Sequence, residues 1–217
     1  MKPQKKPSTA NTAKTVNALD ELVQHVRSNP AHIQSLVETL GGKSADRFKA
    51  AKQLQLISQA EPSLLYPHFD VFAKLLDGNS SVLLWNSSII LSHLVAVDTR
   101  RRFDSLFNVY YGHLWDGKLV TAANILASSG RIARCRPDMA ERITAELLKV
   151  DIIPLPTAEC REVARGHVLT AFAEYPDVTT NNRPARDFVV RCTASHRPSV
   201  RKRAEMLLDE MPRVNRQ

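Results

Sequence analysis

Arg47-Phe48-Lys49-Ala50-Ala51-Lys52-Gln53-Leu54 decides the fold, because four later stretches fall on the same register: Leu84 to Leu91, Leu119 to Leu126, Arg161 to Val168 and Arg201 to Leu208. Each has a small residue fourth (Ala50, Ser87, Ala122, Ala164, Ala204) and an aliphatic one eighth (Leu54, Leu91, Leu126, Val168, Leu208), at spacings of 37, 35, 42 and 40 residues. A period of that length means stacked helical pairs, each burying the apolar face of its neighbour. The small column lets helices approach closely, and an aliphatic residue one turn later fills the groove alongside.

Working outward, composition agrees. The 217-residue chain is 43% apolar with only seven Gly and twelve Pro, and the prolines fall between periodic segments, as an almost wholly helical chain requires. Register helices are expected near 44–59, 80–97, 118–134, 157–175 and 198–210, and second helices near 63–76, 99–114, 137–149 and 183–194. Before them, Leu19, Leu22, Val23 and Val26 form one apolar stripe and Ile33, Leu36, Val37 and Leu40 another. Asn17 and Asn29 are available as caps, Pro30 suits a first helical position, and Gly41-Gly42 ends the second helix. This pair, 16–43, lacks the register and reads as a terminal cap. The domain organisation expected is a disordered basic tail at 1–15, the cap, repeats at about 44–79, 80–117, 118–156 and 157–197, an incomplete one at 198–212, and a tail at 213–217. The breaks at Asp151 to Thr157 and Pro176 to Asn182 are the longest.

Pro198 and Val200, followed by Arg201-Lys202-Arg203-Ala204-Glu205-Met206-Leu207-Leu208, resemble a helix of a HEAT repeat, whose pattern is Pro-x-Val-Arg, then alanine, then leucine. Arg47, Ala50, Ala51 and Leu54 match similarly, whereas Leu84 and Leu119 stand where the family has arginine. The resemblance to this armadillo-like family covers roughly 44–212. It implies an all-α, right-handed α-solenoid of stacked antiparallel helix pairs, a HEAT-like superhelix whose second helices line the concave surface, and it implies no activity.

No charged residue occurs from Gly78 to Val97, the length of a membrane span. Asn79, Ser80, Ser81, Asn86, Ser87, Ser88, Ser92 and His93 argue instead for a helix sandwiched between neighbours. The chain opens without an apolar signal core, so residence in the cytoplasm is expected. Cys135, Cys160 and Cys192, odd in number and far apart, read as reduced thiols.

Catalytic signatures are missing. The seven histidines include no His-Glu-x-x-His and no His-Glu, which excludes the usual helical metal sites and likeness to the di-iron hydroxylases built from HEAT repeats. Gly41-Gly42-Lys43-Ser44 lacks the upstream glycine of a phosphate loop and reads as a helix stop followed by a cap. No catalytic residue, cofactor or metal is therefore assigned, and the protein is expected not to be an enzyme. A HEAT-like DNA glycosylase is the enzymatic alternative, with Trp85 or Trp115-Asp116 to examine for its aromatic and acidic groups.

Charge is the functional lead. The formal charge is +8, and residues 100–136 carry seven bases against two acids while 161–217 carry eleven against seven. Such clusters attract acidic proteins or nucleic acid. In the second helices, apolar faces led by Phe103 and Phe188 leave Arg101, Asn108, Arg183, Arg186 and Arg191 toward water. In the last helix Arg201 and Lys202 open, and Asp209 and Glu210 close, against the helix dipole. These seven basic or amide residues are the candidate partner-binding set of a scaffold for an acidic protein or peptide, with a nucleic acid as the alternative ligand.

Overall fold

A computed structural model describes residues 9–211, with side-chain surroundings from residue 19 onward. The chain is an all-α solenoid. It begins with α1 (Thr9–Ser28) and α2 (Pro30–Leu40), which pack on α3 (Asp46–Ala60). The helix α1 reaches seven residues into the segment expected to be disordered, since nothing after Pro7 breaks it and Ala10 and Ala13 favour it. Asn17 is therefore internal rather than a cap. The expectations for 1–8 and for the tail at 213–217 lie outside the described residues. Asn29 does precede α2, with Pro30 in the first turn, but its side chain makes no capping bond.

The five register stretches lie in α3, α6 (Ser81–Leu94), α8 (Leu119–Cys135), α10 (Ala158–Phe172) and α13 (Pro198–Glu210). Their small residues are all buried, as are Leu54, Leu91, Leu126 and Val168. In α13 the neighbouring Leu207 is buried and Leu208 only partly so, because no further register helix covers that side among the described residues.

The second helices are more broken than periodicity suggested. The first is α4 (Pro62–Leu65), a 3-10 turn at Tyr66–His68 and α5 (Phe69–Leu76), because Pro67 offers no amide and crowds the preceding turn. The next are α7 (Arg102–Gly112) and α9 (Ala140–Leu147), each continued by 3-10 residues. The break expected at Pro176 to Asn182 instead folds into α11 (Pro176–Asn181), ahead of α12 (Arg183–Cys192). Proline in its first turn and Asp177 beside it were the available signal.

Packing distinguishes the two layers. Register helices lie against one another in unbroken order, α3 on α6, α6 on α8, α8 on α10 and α10 on α13, whereas second helices touch each other only sparsely. The register helices thus form the continuous layer of the stack and the second helices the more separated one. At the tightest crossing, a Cβ on Gly130 would sit 2.7 Å from the carbonyl oxygen of Ala171.

The uncharged helix α6 sits inside this ladder, between α3 and α8. Ser88 and Ser92 donate to the carbonyls of Trp85 and Ile89 at 2.9 and 2.7 Å, and the His93 ring shares a 2.8 Å hydrogen bond with Ser58. Its polar groups are thus satisfied internally. No helix among the described residues is long and apolar enough to cross a membrane.

Candidate binding surface

The residues singled out by charge are dispersed. Arg101 precedes α7 with φ 53°, in the left-handed region, and donates to Asp104 at 2.9 Å and to Asp138 at 2.7 Å. Arg136, with a side chain only 10% exposed, completes the cluster by reaching both Asp104 and Asp138. Its hydrogen bonds hold the carboxyls of Asp104 and Asp138 below the usual carboxylate range. Asn108 accepts from Arg142, whose guanidinium lies 3.7 Å from the centre of the Phe107 ring. Arg183 approaches Asp187 only at 3.9 Å and is almost fully exposed, and Arg186 beside it on α12 is half-buried.

Two of the set do converge. Arg191 reaches Asp151 at 3.7 Å, and Arg201 donates to the Ser195 carbonyl at 2.8 Å. Between them Arg165 bonds to Asp151 and to the buried Glu162, which also accepts from the Ser195 hydroxyl. Burial of Cys192 beside this cluster pushes its thiol up to about 12, so it is an inert thiol. Lys202, one residue beyond Arg201, is exposed on α13.

The more informative cations are on the register helices and belong to none of these groups. Lys118 donates to Ser81 at 3.3 Å, Arg131 to Ser92 at 3.0 Å and Arg203 to the Gly166 carbonyl at 2.8 Å. Each crosses from one register helix to the one before it, onto a neutral oxygen. Among the described residues none of the three meets a carboxylate. In the second layer Arg101, Arg183 and Arg191 face acids, and Arg142 on α9 instead meets the neutral Asn108 oxygen. Lys52 on α3 likewise meets only Gln55, while Lys49 on α3, Arg134 on α8 and Arg165 on α10 do meet carboxylates, Asp46, Glu174, and Asp151 with Glu162.

An apolar component shares this face. Val82 on α6, Val120 on α8 and Met206 on α13 are exposed, and Trp85 and Ile89 on α6 are half-buried. The Trp85 indole donates to Thr121 at 2.9 Å, tying α6 to α8. Trp115 sits apart in the turn before α8, nearly half exposed, with Asp116 held by a 2.8 Å bond to His113. Sequence reasoning missed Lys118, Arg131 and Arg203 because, apart from Arg201 and Lys202, it looked for the binding surface on the second helices. The spacing of 37 residues between Ser81 and Lys118, or Gly166 and Arg203, was a signal that could have found them.

No group of metal-ligating side chains occurs among the described residues. No protein-family model matches the sequence, and no curated protein matches it. Solved structures do. The designed armadillo repeat protein YIII(Dq)4CqI is similar with a TM-score of 0.62 and 16% identity, covering 95% of this chain and 96% of its own. The fold is that of an armadillo-like repeat solenoid. A second designed armadillo repeat protein, YIII(Dq.V1)4CPAF in complex with the peptide (KR)4, gives a TM-score of 0.63 at 12% identity, with 95% of each chain covered. Register layer and second layer are thus the two layers of an armadillo-like stack, and the bonds from Lys118, Arg131 and Arg203 to neutral oxygens all run between units of the first.

Proposed function

We propose that this armadillo-like chain is a non-enzymatic scaffold that holds an acidic protein segment along its register-helix face. The observation that carries the reading is the contrast in charge pairing. Lys118, Arg131 and Arg203 are positioned by neutral oxygens, with no carboxylate partner among the described residues, whereas Arg101 and Arg191 of the predicted set sit against carboxylates. Charges of this kind orient a partner and raise its encounter rate, while Val120, Met206 and Trp85 offer contact area for its apolar residues. A similar designed protein is described in complex with a basic peptide. The net charge of +8 favours the opposite polarity here.

Three probes test this on the full chain: a peptide of repeating Asp-Glu units, one of four Lys-Arg units, and a single-stranded DNA oligonucleotide. The acidic peptide is expected to bind, to weaken as salt rises, and to lose about tenfold in affinity with Lys52→Glu and Lys118→Glu together. The double charge reversal Arg183→Glu and Arg186→Glu on α12 is expected to leave that affinity unchanged. Binding of the basic peptide alone would remove the acidic-partner reading. Preference for DNA, with a steep salt slope, would replace it by the nucleic-acid alternative.

A further inference from the structure

Between α10 and α13 on the register face is a recess of about 160 Å³, floored by Val163, Gly166 and Val200 and ringed by His167, Arg197, Ser199 and Arg203. Its lining is rich in donor groups. Arg203 uses one Nη1 proton on the Gly166 carbonyl, and its Nε and Nη2 have no partner among the described residues. Arg197 spends Nη1 on Glu159 at the rim and Nε on the Ser199 hydroxyl at 3.3 Å. Ser199 lies in the first turn of α13, where no side chain caps the helix and its own amide finds no acceptor among the described residues. Burial, and then Arg203, lower the pKa of His167, so at neutral pH its ring is an uncharged hydrogen-bonding group.

We propose that this recess receives a phosphoryl group borne on a serine or threonine of the protein segment that lies along the register face. The proposal rests on the peptide-binding reading given above and adds the ligand chemistry of one position. The lining brings together two guanidinium groups, a hydroxyl and an amide without an acceptor among the described residues, a donor set that suits a dianion with three acceptor oxygens better than a planar carboxylate. The volume admits a phosphoryl group and the end of its side chain, and is well below that of a site for a drug-sized or nucleotide ligand. Beyond the recess the surface turns to Met206, Thr170, Ala173 and Glu210. That neighbourhood favours one isolated phosphoryl group over a strand of repeating phosphates. Glu159 makes the site selective, because an incoming group has to draw Arg197 away from a carboxylate already in place.

The test uses the full chain and an acidic-flanked peptide library made in three versions, with serine, glutamate or phosphoserine at the centre, alongside inorganic phosphate and a single-stranded DNA oligonucleotide. Phosphoserine peptides are expected to bind about tenfold tighter than their glutamate counterparts. Inorganic phosphate at millimolar concentration should compete for that increment alone. Ser199→Asp places a carboxylate in the recess at an exposed helix start, where it does not harm folding, and should abolish the preference at an unchanged or raised melting temperature. Glu159→Gln should tighten both the phosphoserine and the glutamate peptide and narrow the preference between them. Equal affinity for phosphoserine and glutamate, or a preference that survives Ser199→Asp and Arg203→Lys, overturns the site while leaving the acidic-segment scaffold standing. Failure of every peptide to bind overturns both, and tighter binding of DNA that displaces phosphopeptides reassigns the recess to nucleic acid.

Discussion

At the scale of the residue, two glycines and one histidine carry the sharpest consequences. Gly130 has no space for a Cβ, with Ala171 backbone atoms at 2.7 and 2.8 Å and the Glu174 Cβ at 2.9 Å. Gly166 on α10 is different, its nearest neighbours being Val200 Cγ2 at 3.5 Å and Arg203 Nη1 at 3.7 Å. Gly130→Ala is therefore expected to cost about 1–3 kcal/mol by forcing α8 from α10, while Gly166→Ala is nearly neutral. Urea titration of both variants checks the contrast, and equal losses would contradict the close crossing. His93 behaves as a buried neutral group, its pKa lowered to about 4 chiefly by burial and secondarily by Arg131. Its unfolded counterpart titrates near 6.5, so between those values the unfolded chain binds the extra proton and stability falls as pH falls. The contribution is complete above about pH 6.5 and declines by about 3 kcal/mol toward pH 4. His93→Gln should flatten the pH dependence of the urea midpoint across that window; an unaltered slope would show that His93 does not supply it.

At the scale of the element, the ion cluster joining the turn before α7 to the turn before α9 separates two kinds of arginine. Arg136 is nearly buried between two aspartates, and its replacement by methionine strands them, at a cost of about 2 kcal/mol. Arg101 is largely exposed and has a left-handed backbone, so Arg101→Gly loses weak surface pairs and relieves strain, leaving stability within about 1 kcal/mol of the parent. Denaturation at pH 7 distinguishes them. Helix positions were legible in the sequence wherever one face repeats, because burial of Ala50 or Leu91 leaves a local periodic trace. The break at Pro67 and the short helix at Pro176 were legible only as prolines, since whether such a residue ends, starts or interrupts a helix depends on what packs beside it. The candidate surface was less legible still. Arg101 and Arg191 looked free along the chain, yet Asp138 and Asp151, which neutralise them, lie 37 and 40 positions away.

At the scale of the whole molecule, stability is distributed by position in the stack. The helices α6, α8 and α10 have a register neighbour on both sides, whereas α13 has one and α1 meets the register layer only through α3. Amide hydrogen exchange should accordingly be slowest in α6 and α8 and should quicken toward both ends, with α13 opening before α10. Uniform protection would mean that the chain opens as one unit instead. The crossing at Gly130 also limits how such a molecule can grow. An extra unit copied from α5 and α6 meets ordinary side-chain contacts where those helices already stack. At the α8–α10 joint, two backbones touch with nothing between them, and any insert that changes the partner of Gly130 has to bring its own notch. Lengthening by duplication is thus open on one side of this joint and closed at it.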